Sequence, residues 1–252
     1  MKKTGALLCI IIFMTMIIGC NQGGNNDMDK QMNILFIGNS FTFFNEMPGM
    51  VKEMGLSNNW DITVEQIAYG GYSLSDYIED GSDSKEEVIN KLNELTWDYV
   101  VLQDSSRKPL DNEDDFLLSI SILNDLITDK GAQTVLFSTW SYREESLQLQ
   151  NTGLTYIEFY NVLTNAYNLA SSENDTLIAP VGTAFYNLTT EHPEIELLML
   201  DNIHPTMEGS YVAAYIFYTL IISKEDNNEY KPTGISDEIL VILREFAIEV
   251  LE

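Results

Sequence analysis

The sequence is poor in the residues that build covalent staples and metal centres. It has 2 cysteines, Cys9 and Cys20, both near the start of the chain. Neither can cross-link the body of the protein, and no Cys–His metal cluster can form. It has 2 histidines, His192 and His204, which excludes a histidine-rich metal site and leaves two candidates for imidazole chemistry. Basic residues are scarce as well: 13 Lys and Arg stand against 39 Asp and Glu, a formal net charge of −26. That balance argues against nucleic acid as a partner, whose phosphates would be repelled. It also argues against electrostatic adhesion to an anionic membrane. The acids are scattered rather than gathered in a tail, and most of their effect is solubility. There is no internal repeat and no sign of a second domain.

What is present begins with an export signal. Lys2 and Lys3 precede an apolar stretch, Ala6 to Ile18, too short for a comfortable transmembrane helix. It ends Ile17-Ile18-Gly19-Cys20, which resembles the bacterial lipobox. The resemblance implies a lipoprotein signal peptide over 1–19 and lipidation of Cys20. The mature chain would then sit on the cell membrane, lipid-anchored and facing outside the cytoplasm. The alternative is a plain signal anchor with a chance cysteine. Residues 20–31, polar and glycine-rich, read as a flexible tether. The folded domain is expected over 32–252.

From there apolar runs alternate with helical patterns. Asn33 to Phe44, NILFIGNSFTFF, opens as a strand buried on both faces and breaks at Gly38-Asn39-Ser40. A helix is expected over Glu46 to Met54. Further strands are expected over Trp60 to Ala68, Asp98 to Leu102, Thr134 to Phe137 and Thr176 to Val181. Helices are expected over Lys85 to Leu95, Phe116 to Thr128, Thr155 to Ala170, Glu208 to Ile222 and Ser236 to Leu251. Five alternations predict an α/β fold with a parallel sheet between helical layers. Ligands of such sheets sit beyond the carboxyl ends of the strands. Ser40, Gly70-Gly71, Gln103 and Trp140 all follow expected strand ends.

A serine on a sharp strand-to-helix turn can expose its hydroxyl beside helix N-terminal amides. The same serine can equally be a plain helix cap. A serine nucleophile needs a base, and a histidine fixed by a carboxylate serves best near neutral pH. Asp201 and His204, in Asp201-Asn202-Ile203-His204-Pro205-Thr206, have a spacing that lets the carboxylate meet Nδ1 while Nε2 faces the serine. His192 lies between Glu191 and Glu194 and reads as surface.

These residues resemble the SGNH, or GDSL-like, hydrolase superfamily, in its bacterial secreted, carbohydrate-esterase-like branch. Gly38-Asn39-Ser40-Phe41 looks like its nucleophile block, with asparagine in place of the usual aspartate. Asp201-x-x-His204-Pro205 is similar to its last block. Gly70-Gly71 lies where the oxyanion glycine is expected, and Gly71 is the better match. The third block, normally Gly-x-Asn-Asp, departs: Leu102-Gln103-Asp104-Ser105-Ser106 stands there instead.

The resemblance implies a three-layer α/β/α sandwich, flavodoxin-like, on a five-stranded parallel sheet. It implies a Ser40–His204–Asp201 triad with an oxyanion held by the N–H groups of Ser40 and Gly71 and the Gln103 amide. It requires no metal or organic cofactor. Asn39 is expected to hold the turn rather than touch substrate. Gly70, Tyr72, Trp140 and Phe43 are candidates to flank the substrate, or simply to pack. The implied activity is hydrolysis of acyl esters, acetyl above all and on carbohydrates by preference. A catalytically inactive glycan-binding lipoprotein and an acyltransferase are the alternatives.

Overall fold

The computed structural model describes residues 30–223 and 228–252, so the expected signal peptide and the expected lipidation at Cys20 lie outside the described residues. In chain order the elements are β1 (Gln31–Gly38), α1 (Ser40–Phe43), α2 (Met47–Ser57), β2 (Asp61–Ala68), α3 (Asp83–Glu94), β3 (Tyr99–Leu102), α4 (Lys108–Asp111) and α5 (Glu113–Thr128). There follow β4 (Gln133–Phe137), α6 (Leu147–Gln150), α7 (Tyr156–Asn174), β5 (Leu177–Ala179), α8 (Val181–Glu191), α9 (Met207–Phe217) and α10 (Asp237–Glu249).

All five strands are parallel, in the order β2-β1-β3-β4-β5. The apolar run of β1 explains the layering. Successive side chains of a strand point to opposite faces. Ile34 and Phe36 enter one core with α2, α8, α9 and α10, through residues such as Met54, Phe185, Val212 and Leu243. Leu35 and Ile37 enter the other with α3, α5 and α7, through Leu92, Ile120 and Tyr167. All four are fully buried, and each contributes about 2 kcal/mol of burial. This is the doubly wound α/β sandwich that the alternating pattern predicts.

The strand order sets where a ligand can bind. The chain leaves β1 toward one edge of the sheet to form β2, then returns to the other side of β1 to form β3. The crevice between the carboxyl ends of β1 and β3 is therefore the topological switch point. Ser40 follows β1 and Gln103 follows β3.

The fifth strand is shorter than expected, and a helix that the sequence pattern does not announce follows it. The strand stops at Ala179 rather than Val181, and Val181–Glu191 is helical. Pro180 ends the strand with φ −82° and ψ 52° and stands at the helix N-cap. A Cβ on Gly182 would lie 2.1 Å from the Thr139 carbonyl oxygen. The bare glycine therefore lets the first turn of α8 rest against the end of β4. Phe185 then stacks on Trp140 with ring centroids 4.4 Å apart. The helix expected over Glu208 to Ile222 is α9 followed by a π-helical turn, Tyr218–Ile222.

Candidate active site

The turn after β1 is held from below. Gln103, fully buried, turns its side chain under it. Its Oε1 accepts from the Asn39 N–H at 2.8 Å and from the Thr42 hydroxyl at 2.9 Å. Its Nε2 donates to the Asp104 carbonyl at 2.6 Å. Gly38 makes room for this: a Cβ there would lie 2.6 Å from Gln103 Oε1 and 2.5 Å from Thr42 Oγ1. The Gly38 carbonyl accepts from the Tyr77 hydroxyl at 2.6 Å. Asn39 caps α1, its Oδ1 accepting from the Phe41 N–H at 3.0 Å, and its Nδ2 donates to the Tyr72 carbonyl at 2.8 Å. Asn39 thus holds the turn, as expected, and also ties it to the loop after β2.

Ser40 is the first residue of α1, half-buried at the upper surface of this turn. Its hydroxyl lies 2.9 Å from His204 Nε2. His204 Nδ1 lies 2.7 Å from Asp201 Oδ2. An ionised carboxylate only accepts, so Nδ1 carries the proton and Nε2 offers its lone pair to the serine hydroxyl. The other carboxylate oxygen of Asp201 accepts the Ile203 and His204 N–H groups, both at 3.0 Å. Burial pushes the Asp201 carboxyl up, but these N–H groups and the His204 ring outweigh it and hold the carboxyl below its ordinary value. Asn202 bridges the two in a left-handed conformation, φ 63°. The pair is open to water: the His204 side chain is 25 % exposed and that of Asp201 44 %.

The loop carrying His204 is fastened on several sides. Met199 N–H donates to the His204 carbonyl at 2.8 Å and Thr206 N–H to the Leu197 carbonyl at 3.0 Å. Trp140 Nε1 donates to the Ile203 carbonyl at 3.1 Å, and Gln148 Nε2 to the Asp201 carbonyl at 3.0 Å. Phe44 stacks on the imidazole, centroids 4.1 Å apart and planes 13° apart. Asn45 reaches across from the other side to Pro205, Thr206 and Ser210. No motif in the sequence marks Phe44 or Asn45; their only signal is proximity to Ser40.

The structure therefore brings Ser40, His204 and Asp201 together, and sets Gly70-Gly71 in an exposed turn beside them. Gly71 has φ 81°, and a Cβ on either glycine would meet nothing. The N–H groups of Ser40 and Gly71 have no acceptor among the described residues. Two expected assignments are corrected. Gln103 is not placed as an oxyanion donor: it is fully buried beneath the turn, its carbonyl is held by two buried donors, and one of its two amide hydrogens goes to the Asp104 carbonyl. Trp140 does not flank the substrate: it is 1 % exposed, packed between Phe41 and Phe185. Tyr72 is half-buried in a cluster with Tyr69 and Tyr77. Phe43 is half-buried and stacks on Phe44. His192 pairs with Glu194 at the end of α8, away from this constellation.

Beneath the site lies one further acid. Asp104 is fully buried, and its Oδ1 accepts the N–H groups of Leu74 at 3.2 Å and Ser105 at 2.7 Å. Its Oδ2 has no hydrogen-bond partner. Burial pushes the carboxyl up to about 6, against the pull of those N–H groups and of Lys108.

No family model matches the chain, and no curated protein matches it. Solved structures do. A protein from Slackia heliotrinireducens assigned to the SGNH hydrolases is 28 % identical, with TM-score 0.66, over 73 % of this chain and 95 % of its own. A DUF4886 family protein from Bacteroides uniformis is 21 % identical, with TM-score 0.74, over 88 % of this chain and 95 % of its own. An acetyl xylan esterase, AlAXEase, shares the fold at 14 % identity and TM-score 0.59, over 76 % of this chain and all of its own. The parallel sheet, the switch-point site and these likenesses lead to one assignment: the chain is a serine hydrolase of the SGNH superfamily.

Proposed function

We propose that the chain hydrolyses acyl esters, acetyl esters of carbohydrates in particular, through Ser40, His204 and Asp201. One observation carries the reading: a continuous relay from Ser40 Oγ to His204 Nε2 at 2.9 Å and from His204 Nδ1 to Asp201 Oδ2 at 2.7 Å. His204 takes the serine proton as Ser40 attacks the ester carbonyl, and Asp201 stabilises the resulting imidazolium. The oxyanion is held by the free N–H groups of Ser40 and Gly71. The alcohol departs with the proton from His204. Water, activated by the same imidazole, then releases the acid from Ser40. The preference for acetylated carbohydrate rests on the export signal and on the fold shared with an acetyl xylan esterase.

The purified protein should turn over p-nitrophenyl acetate and deacetylate xylo-oligosaccharides, and Ser40→Ala should abolish both. Wild type and variant alike inert across a panel of short esters would overturn the reading. We further propose that Cys20 anchors the protein on the outer side of the membrane. Cys20→Ser should then move it from the membrane to the soluble fraction, and a variant still bound would refute the anchor.

A further inference from the structure

Two consecutive non-glycine residues beside the nucleophile adopt left-handed backbone: Asn45 at φ 51°, ψ 25°, and Glu46 at φ 54°, ψ 40°. Such a conformation costs an L-residue about 1–2 kcal/mol, and least for asparagine. What it accomplishes is visible in the contacts. The left-handed bend turns the Asn45 carboxamide onto the segment just after His204. Its two Nδ2 hydrogens are shared among three acceptors: the Pro205 carbonyl at 3.1 Å, the Thr206 carbonyl at 2.9 Å and the Ser210 hydroxyl oxygen at 2.9 Å. The Ser210 hydroxyl in turn donates to the Phe44 carbonyl at 3.4 Å. The opposite edge of 204–206 is already paired with Leu197 and Met199. The base loop is thus gripped on both edges. Phe44, one residue before Asn45, covers the face of the imidazole, while Phe41 meets it edge-on at 6.1 Å and 79°.

We propose that Phe44 and Asn45 are positioning residues that hold the His204 imidazole in register with the Ser40 hydroxyl. The inference rests on the reading of His204 as the base. Ser40 and His204 are 164 residues apart in sequence, and the clamp begins only four residues after the nucleophile. A single short segment therefore fixes both partners of the proton transfer. Nε2 must take the proton from Ser40 and pass it to the leaving oxygen, and a misplacement of about 1 Å costs on the order of 10²-fold in rate. Asparagine fits the position on two counts: it tolerates left-handed backbone, and it supplies an NH₂ group. Aspartate would have the same shape but would aim carboxylate oxygens at two carbonyls.

The test compares Asn45→Asp and Phe44→Leu with wild type and Ser40→Ala. It reads ester turnover, melting temperature and the histidine resonances of protein labelled with ¹⁵N-histidine. With 2 histidines in the chain, His204 and His192 can be told apart. In wild type the Nδ1–H proton of His204 should be sharp and downfield. In Asn45→Asp kcat should fall about 10²-fold and in Phe44→Leu about tenfold, with KM within about twofold. The His204 proton should broaden or vanish in both while His192 stays unchanged. Folded variants with wild-type kcat and a wild-type His204 signal would overturn the proposal. If wild type itself hydrolyses no ester, the hydrolase reading fails and the His204 resonance alone decides the clamp: a change on substitution upholds it and no change overturns it. If Asn45→Asp does not fold, Phe44→Leu is judged by the same two criteria.

Discussion

The side-chain carbonyl of Gln103 and the backbone N–H of Asn39 meet at 2.8 Å in the protein interior, directly beneath the nucleophile. The contact joins the ends of the two strands that flank the switch point. It also assigns a job to a residue that, by position in the family pattern, would have faced the substrate.

The first prediction concerns that contact. Gln103→Ala leaves the Asn39 N–H and the Thr42 hydroxyl buried and unpaired, and each stranded donor costs about 1–3 kcal/mol. A loss of about 2–5 kcal/mol is expected in urea denaturation. An oxyanion donor would instead lower kcat with stability intact.

Gly71 supplies the complementary test. Its φ of 81° disfavours any side chain, while a Cβ there would meet no neighbour. Gly71→Ala should therefore cost only about 1 kcal/mol in stability. If its N–H holds the oxyanion, the shifted backbone should lower kcat by about 10²-fold. Steady-state kinetics at unchanged KM would check this, and a wild-type kcat would remove Gly71 from the oxyanion site.

Asp104 gives a pH dependence with a definite sign. Burial raises its carboxyl to about 6 in the folded protein, against about 3.9 in an unfolded chain. The folded state therefore binds the proton more tightly. The stabilisation from this group is complete below about pH 4 and is lost as pH rises through about 6. Asp104→Asn carries no charge and keeps a carbonyl for the Leu74 and Ser105 N–H groups. At pH 8 the variant should exceed wild type by up to about 3 kcal/mol. Below pH 4 the two should converge, and melting curves across pH 3–8 would show the crossover or its absence.

The sheet was legible because β1, β3 and β4 are short apolar runs closed by polar residues, a pattern that a fully buried strand imposes on a sequence. The start of α8 was hidden because Pro180-Val181-Gly182 carries a β-branched residue and a glycine, which read as a strand running out rather than a helix beginning. The assignment of Gln103 failed for a different reason. Strand-end position says which residues reach the rim, but not which way a long amide turns. Here the turn's own buried donors, Asn39 N–H and Thr42 hydroxyl, claim it. Phe44 and Asn45 were invisible because their roles depend on a loop far away in the chain. The juxtaposition of Ser40 with Asp201 and His204 was suggested by residue types and order, and only coordinates supply its distances.

Gly182 carries a consequence for how this sequence can drift. The start of α8 rests on the Thr139 carbonyl, Phe185 of that helix rests on Trp140, and Trp140 holds the Ile203 carbonyl beside His204. A mutation adding even one methyl at 182 would wedge the helix outward and pass its displacement along that chain of contacts. Because the obstacle is backbone, a side-chain change nearby does not relieve it. Packing thus disfavours any other residue at a position outside the Ser40–His204–Asp201 relay.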